Sequence, residues 1–152
     1  MPATTRVPVI ENLASCMSQL REFLLNPVPK GTLLKCTITR NKKGMNKIYP
    51  KYFLQMSDNS TFLMAGKKRP LKYLISGSAE NIKTKSSDYL GKVVNNMVGT
   101  IFRIYDNGVD PKKSPYNTRY IREELGIITY KSNIVGKKGP RKMKILIPQV
   151  SS

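Results

Sequence analysis

The sequence predicts a mainly β protein in which short antiparallel strands follow one amphipathic helix. Apolar residues recur at helical spacing near the start of the chain. After Gly31 they alternate with polar residues in several short segments, and turn-forming residues separate these segments. Short strands joined by turns favour an antiparallel sandwich or barrel.

The helical segment runs from Ile10 to Leu25. Its apolar side chains fall on one helix face, at Ile10, Leu13, Ala14, Met17, Leu20 and Leu24. Pro27 ends the helix, because a residue that precedes proline is pushed out of the α region. We expect the apolar face to pack on the protein's own domain. The alternative is docking on a partner or a membrane surface, and the scarcity of lysine on the polar face argues against the membrane.

Eight segments after the helix are predicted as strands. In chain order they are Leu34–Ile38, Tyr52–Met56, Thr61–Ala65, Leu71–Ile75, Lys92–Asn95, Val98–Tyr105, the second half of Ile121–Lys131, and Met143–Ile147. The turn Ser57–Ser60 joins the second strand to the third, and Asp106-Asn107-Gly108 opens a longer loop. This divides the chain into a disordered start at residues 1–8, a helix at 9–26 and a β domain at 27–150.

Composition excludes several classes of function. The chain has 152 residues, no His, and two cysteines, Cys16 and Cys36, that match no metal-ligand spacing. We therefore expect no enzyme, no metal and no cofactor, and we expect both cysteines to be buried thiols in a reducing compartment. No apolar run approaches the ~20 residues that span a bilayer. We expect a soluble, intracellular protein that is at most peripheral on a membrane.

Charge points to an anionic partner. The 27 Lys and Arg outweigh 9 Asp and Glu, which gives a net charge of +18. The cations form three clusters beside glycines: Arg40, Lys42 and Lys43; Lys67, Lys68 and Arg69; and Lys137, Lys138, Arg141 and Lys142. Glycine brings backbone N–H groups close to a ligand, and Lys and Arg suit phosphate oxygens. The alternative for any one cluster is that its cations lie on a solvated loop and bind no ligand.

Composition alone leaves two anions open. Nucleic acid favours aromatic side chains interleaved with cations, but the chain has no Trp, and Tyr52 and Tyr73 are predicted to face the core. No nucleic-acid-binding motif is present. A membrane phosphoinositide needs a compact cationic pocket and a basic surface, each cation near an anionic leaflet contributing about 1 kcal/mol. The net charge alone does not distinguish nucleic acid from a phosphoinositide as the partner.

Ordered motifs over about 125 residues resemble the carboxy-terminal domain of the Tubby family. They include EFLLNPVPKGTLLKCTITRNKKGMNK (22–47), YPKYFLQM (49–56), FLMAGKKR (62–69), YLIS (73–76), YLGKVVNNMVGTIFRIYDNG (89–108), REEL (122–125) and NIVGKKGPRKMKILIP (133–148). The last motif and the YDNG segment are the most specific. Each motif would be weak alone, but their common order makes chance similarity improbable.

The resemblance implies the N-terminal half of a Tubby-like β-barrel, so the fold class becomes a partial barrel with an N-terminal amphipathic helix, without the closing strands and the central helix. We expect uncovered apolar side chains and unpaired strand edges as a result. It also implies a membrane-tethered adaptor that binds phosphatidylinositol 4,5-bisphosphate and takes part in ciliary membrane-protein trafficking. The implied location is the cytoplasm and the inner leaflet of the plasma membrane, with the cilium or the nucleus as further sites.

The implied partners are phosphoinositide headgroups, trafficking-machinery proteins and membrane cargo, with nucleic acid as the alternative. Carried over by position, the headgroup ligands are Lys67, Lys68 and Arg69, with Arg40 and Lys43 close by if the first strands pair as neighbours. Lys137, Lys138, Arg141 and Lys142 form a secondary basic turn. Val94 stands where the family has a lipid-binding arginine, and Pro70 shortens the basic strip, so we expect altered lipid affinity or phosphate preference.

Overall fold

The computed structural model describes residues 17–28, 30–116, 120–132 and 141–149. One helix, α1 (Met17–Leu25), precedes eight strands, and a short 3-10 helix (Gly44–Lys47) lies between the first two. The strands are β1 (Cys36–Asn41), β2 (Lys51–Met56), β3 (Phe62–Arg69), β4 (Lys72–Ser76), β5 (Tyr89–Asn95), β6 (Ile101–Asp106), β7 (Glu124–Tyr130) and β8 (Met143–Leu146).

The eight strands form one antiparallel sheet in sequence order from β1 to β8, each strand pairing with the next along the chain. Within the described residues β1 and β8 are the two edges, so the sheet is not closed. This architecture confirms the mainly β, antiparallel class and is that of a partial barrel. Each predicted strand has a counterpart, although some boundaries differ.

The start of β6 shows why some strand boundaries differ from the predicted ones. Val98 was expected inside the strand, but it lies in the turn that precedes Ile101. The Asn96 side chain closes this turn, because its Oδ1 accepts hydrogen bonds from the N–H groups of Thr100 (2.9 Å) and Ile101 (3.1 Å). Gly99 supplies the left-handed backbone that the turn needs, with a φ of 66°.

Helix α1 packs on its own domain. Leu20 and Leu63 form a buried cluster, and Phe23 and Leu24 pack against it. The Arg21 guanidinium donates hydrogen bonds to the carbonyls of Ser87 and Tyr89, which ties the helix to the connection before β5. The predicted docking of the helix is thus seen for its described part. The predicted helical residues 10–16 and the predicted disordered start at 1–8 lie outside the described residues.

The main core lies under the connection between β4 and β5. It contains Ala65, Leu74, Ile82 and Tyr89, with Phe53 packed against them. These side chains come from β2 to β5 and, for Ile82, from the connection itself, and they fix the centre of the sheet.

The expected burial of Cys36 is wrong, because its side chain is exposed. It lies on β1, an edge strand on which five of the six residues are exposed. Alternation of apolar and polar residues predicted the strand correctly, but nothing in the described chain covers its apolar side, and Ile38 is 69% exposed. Cys16 lies outside the described residues.

Candidate functional site

Strand β3 carries three successive cations, and strand geometry sends them to two faces of the sheet. Side chains alternate between faces along a strand, and residues directly opposite each other on paired strands share a face. Lys67 pairs with Lys51 on β2, whereas Lys68 pairs with Tyr73 on β4. Lys67 and Arg69 therefore lie on one face, and Lys68 lies on the other.

The face with Lys67 carries a continuous group of cations, which we call the basic face. Its members come from four neighbouring strands and are Lys51, Lys67, Arg69, Lys72 and Lys92. Lys51 lies opposite Lys67, and Arg69 lies opposite Lys72, so the Cβ atoms of each pair are about 5 Å apart. Leu74 separates Lys67 from Lys92, which places these two about 10 Å apart.

The charges of the basic face repel one another. Partial burial lowers the pKa of the Lys67 ammonium, and the nearby charges of Arg69 and Lys51 lower it further. Within the described residues, no carboxylate lies within 4 Å of any member of the basic face. A bound anion would offset this repulsion without displacing an existing ion pair.

The connection between β6 and β7 borders the basic face at Lys92. Arg122 in this connection forms an ion pair of 2.9 Å with Asp110, and its guanidinium carbon lies 4.3 Å from the centroid of the Tyr105 ring. Partial burial and then the charge of Arg122 lower the pKa of the Lys92 ammonium, while Asp110 opposes them. Arg122 thus has a carboxylate partner at this border, unlike Lys51, Lys67, Arg69 and Lys72, which have none in the described part of the chain.

The opposite side of the sheet is apolar, and we call it the apolar face. A groove of about 320 Å³ there is lined by side chains that include Ile38, Leu54, Ile75, Val93 and Phe102. Tyr52 and Tyr73 lie edge to face on the same side, with ring centroids 6.1 Å apart. The Arg40 guanidinium carbon lies 5.6 Å from the Tyr52 ring centroid, so Arg40 is on this face.

The model of the Tub family matches residues 24–152, which is most of the chain. The chain belongs to the Tub family. Human Tubby-related protein 1 is 38% identical over 139 residues, which cover 87% of this chain and 26% of that protein. Mouse Tubby-related protein 3 is 37% identical over 142 residues, covering 87% of this chain and 31% of that protein.

A nematode member of the Tub family gives a similar result. Tubby protein homolog 1 of Caenorhabditis elegans is 37% identical over 158 residues, covering 95% of this chain and 37% of that protein. The chain thus spans about a quarter to just over a third of the length of these curated relatives. In the described part of this Tub-family chain, no helix is long and apolar enough to cross a bilayer.

The residues predicted for the headgroup divide between the two faces of the Tub-family sheet. Lys67 and Arg69 lie together on the basic face, whereas Lys68 and Arg40 lie on the apolar face. Strands β1 and β3 are not neighbours, because β2 lies between them. The predicted convergence of Arg40 with Lys67 and Arg69 is therefore not formed. Lys43 is exposed just beyond the end of β1, where its N–H donates to Asn41 Oδ1.

The secondary basic turn is not part of the basic face. Lys137 and Lys138 lie outside the described residues. Arg141 and Lys142 lie before β8, an edge strand that four strands separate from β3. Lys142 shares that edge with Lys131, whose N–H donates to the Lys142 carbonyl at 3.0 Å.

Three members of the basic face were missed from the sequence, namely Lys51, Lys72 and Lys92. Lys51 and Lys72 are the first residues of β2 and β4, where charge hides the apolar alternation, and Lys92 is the middle residue of β5. The sequence spacing could have located two of them, because Lys51 is one residue before Tyr52 and Lys72 is one residue before Tyr73. Both tyrosines were predicted to face the core. Residues one place away must face the opposite side.

Val94 lies on the basic face between two cations. It is directly opposite Lys72 on β4 and Arg103 on β6. The Arg103 guanidinium is held by both carboxylate oxygens of Glu124, at 2.9 and 3.2 Å. Lys72 is therefore the cation next to Val94 that, within the described residues, has no carboxylate partner.

Proposed function

We propose that this chain binds the headgroup of phosphatidylinositol 4,5-bisphosphate on its basic face. The observation that carries the proposal is the pairing of Lys51 with Lys67 and of Arg69 with Lys72, four like charges on adjacent strands with no carboxylate beside them in the described chain. Like charges directly opposite each other destabilise a sheet, so an anionic ligand accounts for a placement that folding disfavours.

The chemistry of the headgroup suits this arrangement. Each monoester phosphate carries a charge of about −1.5 to −2 near neutral pH and offers three acceptor oxygens. Arg69 supplies a planar fork of donors, and the lysines supply mobile point charges. Because Lys67 and Lys92 are about 10 Å apart, with Arg69 and Lys72 beside them, one headgroup with two monoester phosphates can be contacted from several strands.

Aromatic placement favours a lipid headgroup over single-stranded nucleic acid. Binding of single strands uses aromatic rings that stack on bases beside the cations. Here Tyr52 and Tyr73 lie on the apolar face, and Tyr105 is covered by the Arg122 guanidinium. Duplex nucleic acid, which is bound through its phosphates, remains a test outcome.

We further propose, from the resemblance to the Tubby family, a non-enzymatic role as a membrane-tethered adaptor. Headgroup binding would hold the chain at the cytoplasmic leaflet of the plasma membrane, where trafficking-machinery proteins and membrane cargo are the partners. Ciliary membrane-protein trafficking is the process proposed, and the nucleus is the location after release from the membrane. Membrane attachment supports such a role, because about 1 kcal/mol per cation near an anionic leaflet gives reversible binding.

Co-sedimentation with vesicles tests the headgroup assignment. Vesicles with phosphatidylinositol 4,5-bisphosphate are compared with phosphatidylserine vesicles of equal total charge, and duplex DNA is added as a competitor at physiological salt. We expect selective binding to the bisphosphate vesicles, lost by at least tenfold in Lys67→Ala with Arg69→Ala.

The matched control is Lys83→Ala with Lys85→Ala, which removes the same charge from exposed positions in the connection between β4 and β5, outside the basic face. Selective binding that survives in this control and is lost in the basic-face variant supports the proposal. Equal binding to all three polyanions, or equal loss in both variants, contradicts it.

A further inference from the structure

The charges of the chain are divided between the two ends of the sheet. Because consecutive strands run in opposite directions, the turns β1–β2, β3–β4 and β5–β6 and the described residues between β7 and β8 (131–132 and 141–142) all lie at one end, which we call the tip end. The remaining connections and helix α1 lie at the opposite end, where α1 packs against Leu63 near the start of β3. The two ends differ in charge.

Every acidic residue in the described chain belongs to the opposite end. These residues are in helix α1, in the connections there, or at strand residues that adjoin them: Glu22, Asp58, Glu80, Asp88, Asp106, Asp110, Glu123 and Glu124. The described residues of the tip-end turns contain no acid, and their cations are Lys42, Lys43, Lys47, Lys131, Arg141 and Lys142. An anionic surface would be attracted by the tip end and repelled by the opposite end.

The tip end also exposes apolar side chains. Met45 and Ile48 between β1 and β2 are 96% and 75% exposed, and Met97 and Val98 between β5 and β6 are 90% and 74% exposed. Leu71, between β3 and β4, is 47% exposed. Apolar side chains that project among cations, with no carboxylate near them, fit the interface of an anionic bilayer, where the side chains enter the acyl boundary and the cations remain at the headgroups.

The opposite end has exposed apolar side chains as well, among them Leu33 and Tyr116. There, however, acids lie between the cations, as Asp110 does beside Lys112 and Lys113. Charge complementarity therefore selects the tip end as the membrane-facing end. The basic face is continuous with it, because Lys51, Arg69 and Lys72 are strand residues that adjoin the tip-end turns.

We infer that the tip end inserts the side chains of Met45, Ile48, Met97 and Val98 into the interfacial region of an anionic bilayer. This inference rests on the proposed headgroup binding and adds to it the orientation of the chain on the membrane. The inserted turns and the headgroup site act together, so that binding to a vesicle is tighter than binding to the isolated headgroup.

A single tryptophan reports insertion directly, since the chain contains none. Met97→Trp is compared with Tyr116→Trp. Tyr116 lies at the opposite end and is 97% exposed in the native chain. On bisphosphate vesicles that contain brominated lipid, we expect a blue shift and strong quenching for Met97→Trp, and neither for Tyr116→Trp. Bound Met97→Trp without quenching, or quenching of Tyr116→Trp, overturns the inference.

A second pair of variants separates insertion from headgroup binding. Met97→Ser should weaken vesicle binding about five- to tenfold, while Tyr116→Ser leaves it unchanged. Both should bind soluble inositol 1,4,5-trisphosphate as the native chain does, which also shows that they fold. Unchanged vesicle binding by Met97→Ser contradicts the inference alone. A native chain that binds neither the bisphosphate vesicles nor the trisphosphate overturns the proposed function, and the inference with it.

Discussion

The basic face and the apolar face are made by the same strands but hold their cations in different ways. On the apolar face, Arg40 lies 5.6 Å from the Tyr52 ring, which provides a partner for its charge. On the basic face, Lys51, Lys67, Arg69 and Lys72 have one another as nearest charges, and the pKa of Lys67 is lowered accordingly. The proposed binding site is thus distinguished by cations that lie directly opposite one another on paired strands.

Reversing the charge of adjacent residues on β3 is expected to have the largest effect. Lys67→Glu places a carboxylate on the basic face and should weaken binding to bisphosphate vesicles about thirtyfold, since charged hydrogen bonds contribute about 1.5–3 kcal/mol each. Lys68→Glu makes the same change in net charge on the apolar face and should weaken binding about threefold. Co-sedimentation measures both, and equal losses would remove the distinction between the faces.

Changing Gly108 tests the border of the basic face. A Cβ at this position would collide with the backbone of Arg122, so the two cannot keep their present approach. Gly108→Ala should cost about 1–3 kcal/mol in the free energy of unfolding and disturb the ion pair of Arg122 with Asp110. Gly44→Ala, at a position with open space around it but a φ of 56°, is the comparison for backbone strain alone. Thermal and urea unfolding measure the difference, and an unchanged stability of Gly108→Ala would contradict the packing.

The pH dependence of binding follows from Lys67. Partial burial and then Arg69 and Lys51 lower its pKa below the ordinary 10.5, so it loses its proton at a lower pH than an isolated lysine does. The proposed binding of inositol 1,4,5-trisphosphate uses the charged form of Lys67, so the affinity should fall as the pH rises through the lowered pKa. Lys67→Arg should reduce this fall, because the guanidinium stays charged. Calorimetry across the alkaline range measures it, and identical pH profiles for the two proteins would contradict the role of Lys67.

A small gain in stability is expected from removing the Lys67 charge. A lysine whose pKa is lowered by folding destabilises the folded chain while it is charged, and this penalty is lost as the pH rises from the folded-state pKa to the ordinary value of 10.5. At neutral pH, Lys67→Met should therefore raise the free energy of unfolding by about 0.2–1 kcal/mol. Arg103→Met, which breaks an ion pair with Glu124, should not raise it. Urea unfolding measures the free energy of unfolding of both variants. A higher value for Arg103→Met alone would contradict the expected repulsion at Lys67.

The sequence predicted the positions of the strands better than it predicted which residues share a face of the sheet. Alternation of apolar and polar residues located β2, β4 and β7, because each packs one side against the core. It ended β3 at Ala65, since the charges of Lys67, Lys68 and Arg69 conceal a strand that continues to Arg69. The exposure of Cys36 was missed because alternation does not show that a strand lies at an edge.

The grouping of the cations depended on register, which the sequence does not give. Arg40 and Lys67 both follow apolar segments of the sequence, but the pairing of β1 with β2 and of β2 with β3 places them on opposite faces. Irregular pairing at Leu54/Gln55 and Ile75/Ser76 shifts the alternation of neighbouring strands. Alternation shows which residues of one strand lie on the same face. Which residues of two different strands share a face depends on the register of their hydrogen-bonded pairing.

Solution NMR of lysine side chains tests the basic face most directly. The Cε resonances of the labelled chain are followed during titration with inositol 1,4,5-trisphosphate, with the assignments made from single Lys→Arg variants. We expect saturable shifts at Lys51, Lys67, Lys72 and Lys92, and none at Lys68, the neighbour of Lys67 on the apolar face. Shifts at Lys68 equal to those at Lys67, or small uniform shifts at all lysines, would contradict a headgroup site on the basic face.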